Sequence, residues 1–182
     1  EERPDAYMAS AFDDRLVIEG NSSLGDELID LGLDAIVVPI GGGGLISGTI
    51  EAFERANRPI EIIGAEPLMA NDAARSLKAG HIIPNELEPQ TVADGTRTLS
   101  VGNLTFPVIQ RGVSSILEVS EEKIVDGLKL YFEHANLKCE PTGALSLGAV
   151  LQYPEQFRDK RVGVIVSGGN VDPTLYSQLL AG

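Results

Sequence analysis

The chain is most sharply bounded by what it has little of. Its 182 residues contain one cysteine, Cys139, so no disulfide can close within the chain. A reducing, cytoplasmic setting fits that usage, and Cys139 reads as a core residue. A catalytic thiol would want a histidine partner, and only His81 and His134 are on offer. Basic residues are scarce: 14 Lys and Arg stand against 27 Asp and Glu, a formal net charge of -13. That balance argues against a nucleic-acid partner and against an anionic membrane surface. No apolar run has the length of a membrane span, and no signal-peptide pattern opens the chain. Internal repeats and low-complexity tracts are lacking too. An initiator methionine is also missing at Glu1, as in a processed product or a fragment.

What is present describes a globular domain. Hydrophobic residues make up 43% and charged residues 23%, enough for one domain over 1–182 with a sizeable core. Residues 1–20 read as irregular, with a short extended piece at Arg15–Glu19. A helix is expected over Ser23–Leu33, a strand over Ala35–Ile40 and a helix over Gly44–Asn57, broken by Pro59. A strand over Ile60–Ala65 and a helix over Met69–Ala79 follow. Gly80–Thr105 is rich in turn formers, and its length suggests a functional loop. A strand at Ser114–Val119 leads to a helix capped by Ser120 and running to about Asn136. Thr142–Leu151 reads as a helix, Arg161–Val166 as a strand and Pro173–Leu180 as a final short helix. Short, near-continuous apolar strands alternating with helices imply an α/β fold: a parallel sheet with helices on both faces.

The most informative feature is four consecutive glycines, Gly41, Gly42, Gly43 and Gly44, between the run Ala35–Ile40 and the next helix. Removing every Cβ lets backbone amides close on an anion, and the helix N-terminus adds its dipole. A phosphate is the expected ligand; a plain tight turn is the plainer alternative. In parallel sheets ligands bind beyond the carboxyl ends of the strands. The glycine loop, Glu66 and Ser167-Gly168-Gly169-Asn170 each follow directly on a strand and are expected on one edge. Ser167 offers a hydroxyl, Gly168 and Gly169 allow a flat ring to approach, and Asn170 can bond a ring substituent or hold the turn. Taken alone, this stretch also reads as a strand-ending turn. Glu66, Asp72 and the carbonyl of Ala70 suit a hard divalent cation completed by water. Spacing alone favours a solvated strand end followed by a helix N-terminal acid. A dinucleotide fingerprint is a rival, because Gly42-x-Gly44-x-x-x-Gly48 follows a strand and Glu66 ends the next. Its third glycine is displaced by one, and it leaves Ser167–Asn170 unexplained.

The stretch Val37-Val-Pro-Ile-Gly-Gly-Gly-Gly-Leu-Ile-Ser-Gly48 resembles the phosphate loop of the fold-type II pyridoxal-phosphate enzymes, in the branch of threonine/serine dehydratases and serine racemase. Phe12-Asp-Asp14, Gly64-Ala-Glu-Pro67, Ala93-Asp-Gly95 with Thr105-Phe-Pro107, Glu140-Pro-Thr-Gly-Ala144 and Val166-Ser-Gly-Gly-Asn170 agree in order and spacing. The resemblance implies pyridoxal 5'-phosphate as cofactor, its phosphate held by the amides of Gly41–Gly44 and its ring nitrogen by Ser167. Gly95 and Glu140 would lie beside the ring, with Gly168 and Asn170 in the same binding set. It also implies a magnesium or calcium site at Glu66, Ala70 and Asp72. The implied activity is β-elimination of a hydroxy amino acid to a 2-oxo acid and ammonia, or racemisation. Glu19-Gly-Asn-Ser-Ser23 departs from the family's Ala-Gly-Gln-Gly-Thr. The family's Schiff-base motif Ser-Phe-Lys-x-Arg-Gly and its substrate-carboxylate loop Ser-x-Gly-Asn-His do not occur. The lysines, at 78, 123, 129, 138 and 160, lie in no such context. The chain thus resembles the C-terminal half of such an enzyme, part of its large domain without the small one. On its own it is expected to be inactive, and to self-associate or pair with an N-terminal half.

Overall fold

The computed structural model describes residues 7–182. Four strands, β1 (Ala35–Pro39), β2 (Glu61–Pro67), β3 (Ser115–Val119) and β4 (Val162–Val164), form one sheet of order β3-β2-β1-β4. Every pairing is parallel, with Val37 opposite Ile63 and Val164, and Ile63 opposite Ser115. β1 is central and buried throughout. Its side chains alternate between two cores. Ile36 and Val38 join Ile46, Ile50 and Phe53 of α2 (Gly44–Arg55) and Phe106 and Ile109 of α4 (Thr105–Gly112). Ala35 and Val37 join Ile124 of α5 (Glu121–Ala135) and Leu145 and Ala149 of α6 (Pro141–Gln152). Both faces are therefore covered, which is why β1 carries no polar residue to mark a solvent side. A smaller core under α7 (Pro173–Ala181) takes in Leu128, Ala144, Tyr176 and Cys139. Cys139 is fully buried, and burial pushes its thiol up to about 11, so it is an inert core group. No helix of the described residues is long and apolar enough to cross a membrane.

The expected elements form, with four corrections. The extended piece at Arg15–Glu19 is helical: α1 runs Arg15–Leu28, so the helix expected over Ser23–Leu33 begins and ends earlier. Asp14 caps it, its carboxylate accepting from the amides of Leu16 and Val17 at 2.8 and 3.3 Å. Gly20, Asn21, Ser22 and Ser23 are weak helix formers that disguise the element, whereas packing against α2 decides it. α3 (Asp72–Ala79) begins after a short 3-10 turn at Leu68–Ala70, later than Met69. Finally, α4 lies at the end of the long segment and beyond, where no helix was expected. Its start is held from far along the chain: Asp13 accepts from the amides of Asn103 and Leu104 at 3.0 and 2.7 Å. β4 is also shorter than the strand expected there. The irregular start expected for residues 1–6 lies outside the described residues.

Candidate active site

An open cleft of about 420 Å³ lies at the carboxyl ends of β1 and β4. Gly41, Gly42, Gly43, Gly44, Gly95, Glu140, Thr142 and Ser167 all line it, with Phe12 and Asn21. Residues from far-apart stretches are thus brought to one edge, as the alternation of strands and helices predicts. Gly42, Gly43 and Gly44 are buried, and Gly43 has φ +93°. A Cβ at Gly42 would overlap the Phe12 ring; one at Gly43 would come within 2.7 Å of Ile109 and 2.9 Å of the Thr105 hydroxyl. Among the described residues, no group of the chain accepts from the amides of Gly41–Gly44. Amides without acceptors are available to an anion, and these four sit at the positive end of α2. Among the described residues, no lysine, arginine or histidine lines the cleft. The attraction it offers an anion is that of backbone dipoles.

The opposite wall is held by Glu140. Its amide donates to the Gly168 carbonyl at 3.1 Å, and its carboxylate accepts from the Asn170 amide at 2.9 Å. A Cβ at Gly168 would meet that carboxylate at 2.5 Å. Glu140 therefore clamps the loop that presents Ser167, whose side chain is exposed at the cleft. Gly168 and Asn170 do not themselves line the cleft. Gly95 is fixed by Thr142, whose hydroxyl accepts from the Gly95 amide at 3.0 Å. Phe12, Asn21, Thr96, Thr98 and Thr142 line the cleft without having been singled out as ligands. Phe12 and Thr142 lay inside stretches already noticed; Thr96 and Thr98 sat in a turn-rich segment with no pattern to mark them.

Glu66, Ala70 and Asp72 are separate from this lining. Glu66 and Asp72 are 1% and 2% exposed. The Glu66 carboxylate accepts from the amides of Ala73 and Ala74 at 3.1 and 2.7 Å, at the start of α3. Asp72 accepts from the Asn85 side chain and the Val101 amide, both at 2.9 Å. Burial pushes Glu66 up to about 8, with Asp72 adding to the rise, and pushes Asp72 up to about 6. Among the described residues no three of His, Cys, Asp and Glu gather into a group able to hold a metal ion. The metal expectation therefore draws no support from such a cluster.

A parallel α/β sheet whose glycine loop opens a helix at the strand ends is an arrangement suited to a phosphorylated small molecule. Residues 1–168 match the family described as "Pyridoxal-phosphate dependent enzyme", and the chain belongs to that family. It is 45% identical over 163 residues to the beta-hydroxyaspartate dehydratase of Paracoccus denitrificans (strain Pd 1222), covering 88% of this chain and 51% of that protein. It is 39% identical to the L-threo-3-hydroxyaspartate ammonia-lyase of Pseudomonas sp, covering 96% of this chain and 55% of the relative. The solved structure of maize serine racemase superposes with a TM-score of 0.88 at 36% identity, over 97% of this chain and 55% of that one. The chain spans about half the length of the curated relatives it matches.

Proposed function

We propose that this chain supplies the cofactor cradle of a pyridoxal-phosphate-dependent ammonia-lyase acting on a hydroxy amino acid of the serine, threonine or hydroxyaspartate type. The observation that carries the reading is the set of acceptor-less amides at the buried glycines Gly42–Gly44, in a cleft shared with Ser167. The relatives' activities and the family membership point the same way. When bound, the cofactor supplies an electron sink for charge developing at the substrate α-carbon. The chain's own residues bind and orient. Amides of Gly41–Gly44 hold the phosphate, with the α2 dipole offsetting its charge. Ser167 meets the ring nitrogen with a neutral hydroxyl, which does not enforce a protonated ring as a carboxylate would. That setting suits elimination. Glu140 holds the Ser167 loop in register, and Gly95, fixed by Thr142, leaves room beside the ring.

No lysine lines the cleft. The reading therefore includes a Schiff-base lysine contributed from outside these residues, by an N-terminal half in the same or another polypeptide. Residues 1–182 act as one cofactor-binding domain, in a reducing, cytoplasmic setting. A divalent cation at Glu66, Asp72 and the Ala70 carbonyl, completed by water, is part of the proposal: two adjacent buried carboxylates with raised affinity for a proton are a donor set that a hard cation would also relieve. Serine racemisation is the second reading, favoured by the close superposition on maize serine racemase.

The test is titration of the purified chain with pyridoxal 5'-phosphate and, in parallel, with phosphate-free pyridoxal, followed by borohydride reduction and mass spectrometry. Tighter binding of the phosphate form with no covalent adduct is expected. Equal binding of the two would remove the phosphate cradle. A specific adduct on one lysine would place the Schiff base within this chain.

A further inference from the structure

Four successive glycines have little conformational preference of their own, so nothing in their backbone chemistry decides which way each peptide faces. Something else must aim the amides. The Gly42 carbonyl accepts from the Thr105 hydroxyl at 2.7 Å and from the Gly102 amide at 3.1 Å. Thr105 is fully buried, and neither it nor Gly102 lines the cleft. Both donors therefore sit behind the loop. Peptide bonds here are trans, so a carbonyl drawn to the back turns the N–H of the same peptide to the front. That N–H belongs to Gly43.

We infer that Thr105 is a positioning residue: its hydroxyl, held from α4, orients the Gly42–Gly43 peptide so that the Gly43 amide faces the cleft and its ligand phosphate. The inference rests on reading the cleft as a phosphate site. The threonine is itself fixed on three sides. Its hydroxyl accepts from the Gly102 amide at 2.9 Å, its carbonyl accepts from the Ser47 hydroxyl at 3.4 Å, and Asp13 caps the turn before it through Asn103 and Leu104. The hydroxyl is thus a fixed point against which the glycine loop is set, although it contacts no ligand itself. Valine in its place would keep the volume and lose the donor. Gly102 would still hold the carbonyl, so the loop would be loosened without being dismantled.

The experiment compares wild type, Thr105→Val and Thr105→Ser, each titrated with pyridoxal 5'-phosphate and with pyridoxal. Thr105→Val is expected to bind the phosphate form about tenfold more weakly, the loss of one hydrogen bond's ordering, and pyridoxal unchanged. Thr105→Ser is expected to restore the affinity to within about twofold. A merely structural role would weaken both ligands together. Thr105→Val binding the phosphate form as tightly as wild type overturns the inference and leaves the cleft reading intact. Wild type binding both ligands equally overturns the cleft reading itself. Where Thr105→Val does not fold, amide spectra of the wild type decide. The Gly43 amide is expected to shift on addition of pyridoxal 5'-phosphate along with Gly44. A still Gly43 amide beside a shifting Gly44 overturns the inference.

Discussion

Two clusters sit at strand ends of this sheet, and they are opposites. The glycine loop after β1 is a set of donors for which the chain provides no acceptor among the described residues. The Glu66–Asp72 pair at the end of β2 is a set of acceptors, every oxygen of which takes a hydrogen bond from the chain. Both are buried, and both sit where a parallel sheet places ligands. Their unmet needs differ. The first has donors left over; the second has its hydrogen bonds, and burial raises the affinity of both carboxyls for a proton. A strand end marks a place where a site can be built, and hydrogen-bond accounting shows what the place still requires.

Three changes would break or sharpen that contrast. Gly43→Ala should act most strongly. The new methyl meets Ile109 and Thr105 at a φ of +93°, so binding of pyridoxal 5'-phosphate should be lost, with a stability cost on the order of 1–3 kcal/mol. Retained binding in a titration would detach the loop from the ligand. Glu66→Gln comes next and concerns pH. Glu66 binds its proton more tightly folded, near pH 8, than unfolded, near pH 4.5. In chelator, the wild type should therefore lose stability as pH rises from about 5 to about 8, by on the order of a few kcal/mol. Asp72 contributes the same sign below about pH 6. With no proton to exchange at position 66, the Glu66→Gln variant should show a flatter profile in denaturant melts. Calcium should raise the wild-type Tm and leave that of Glu66→Gln unchanged; an equal response in both would move the cation elsewhere. Ser167→Ala should do least to the fold, within about 0.5 kcal/mol, since the side chain is exposed. In a complete enzyme its effect should fall on rate, and an unchanged rate would take Ser167 out of the site.

Much of the fold was legible because its signals are local. The run Ala35–Ile40 alone reads as a buried strand, of which β1 takes Ala35–Pro39, and the four glycines announce a loop that must come close to something. The misreadings share one physical origin, contacts that span the chain. The turn into α4 is held by Asp13, 90 positions before Asn103, a partner no window around Thr105 contains. The helical state of Arg15–Glu19 is set by packing on α2. Ser167 and Gly95 could be placed at the cleft from strand ends and motif; Thr105 and Glu140 as holders of its walls could not, because holding is a matter of distance.

The pairing of β1 with β4 carries a consequence for how the molecule comes together. Ala35 is opposite Val162, so the strand that presents Ser167 joins the sheet only after the chain has closed a very long loop. Loop closure of that length is entropically costly and slow, and contacts of this kind form late. The glycine wall closes over 63 positions, from Gly42 to Thr105, whereas the serine wall waits for almost the whole polypeptide. A ligand that touches both would act as a fastener across the least local seam of the sheet, and its binding energy would appear as resistance of β4 to opening.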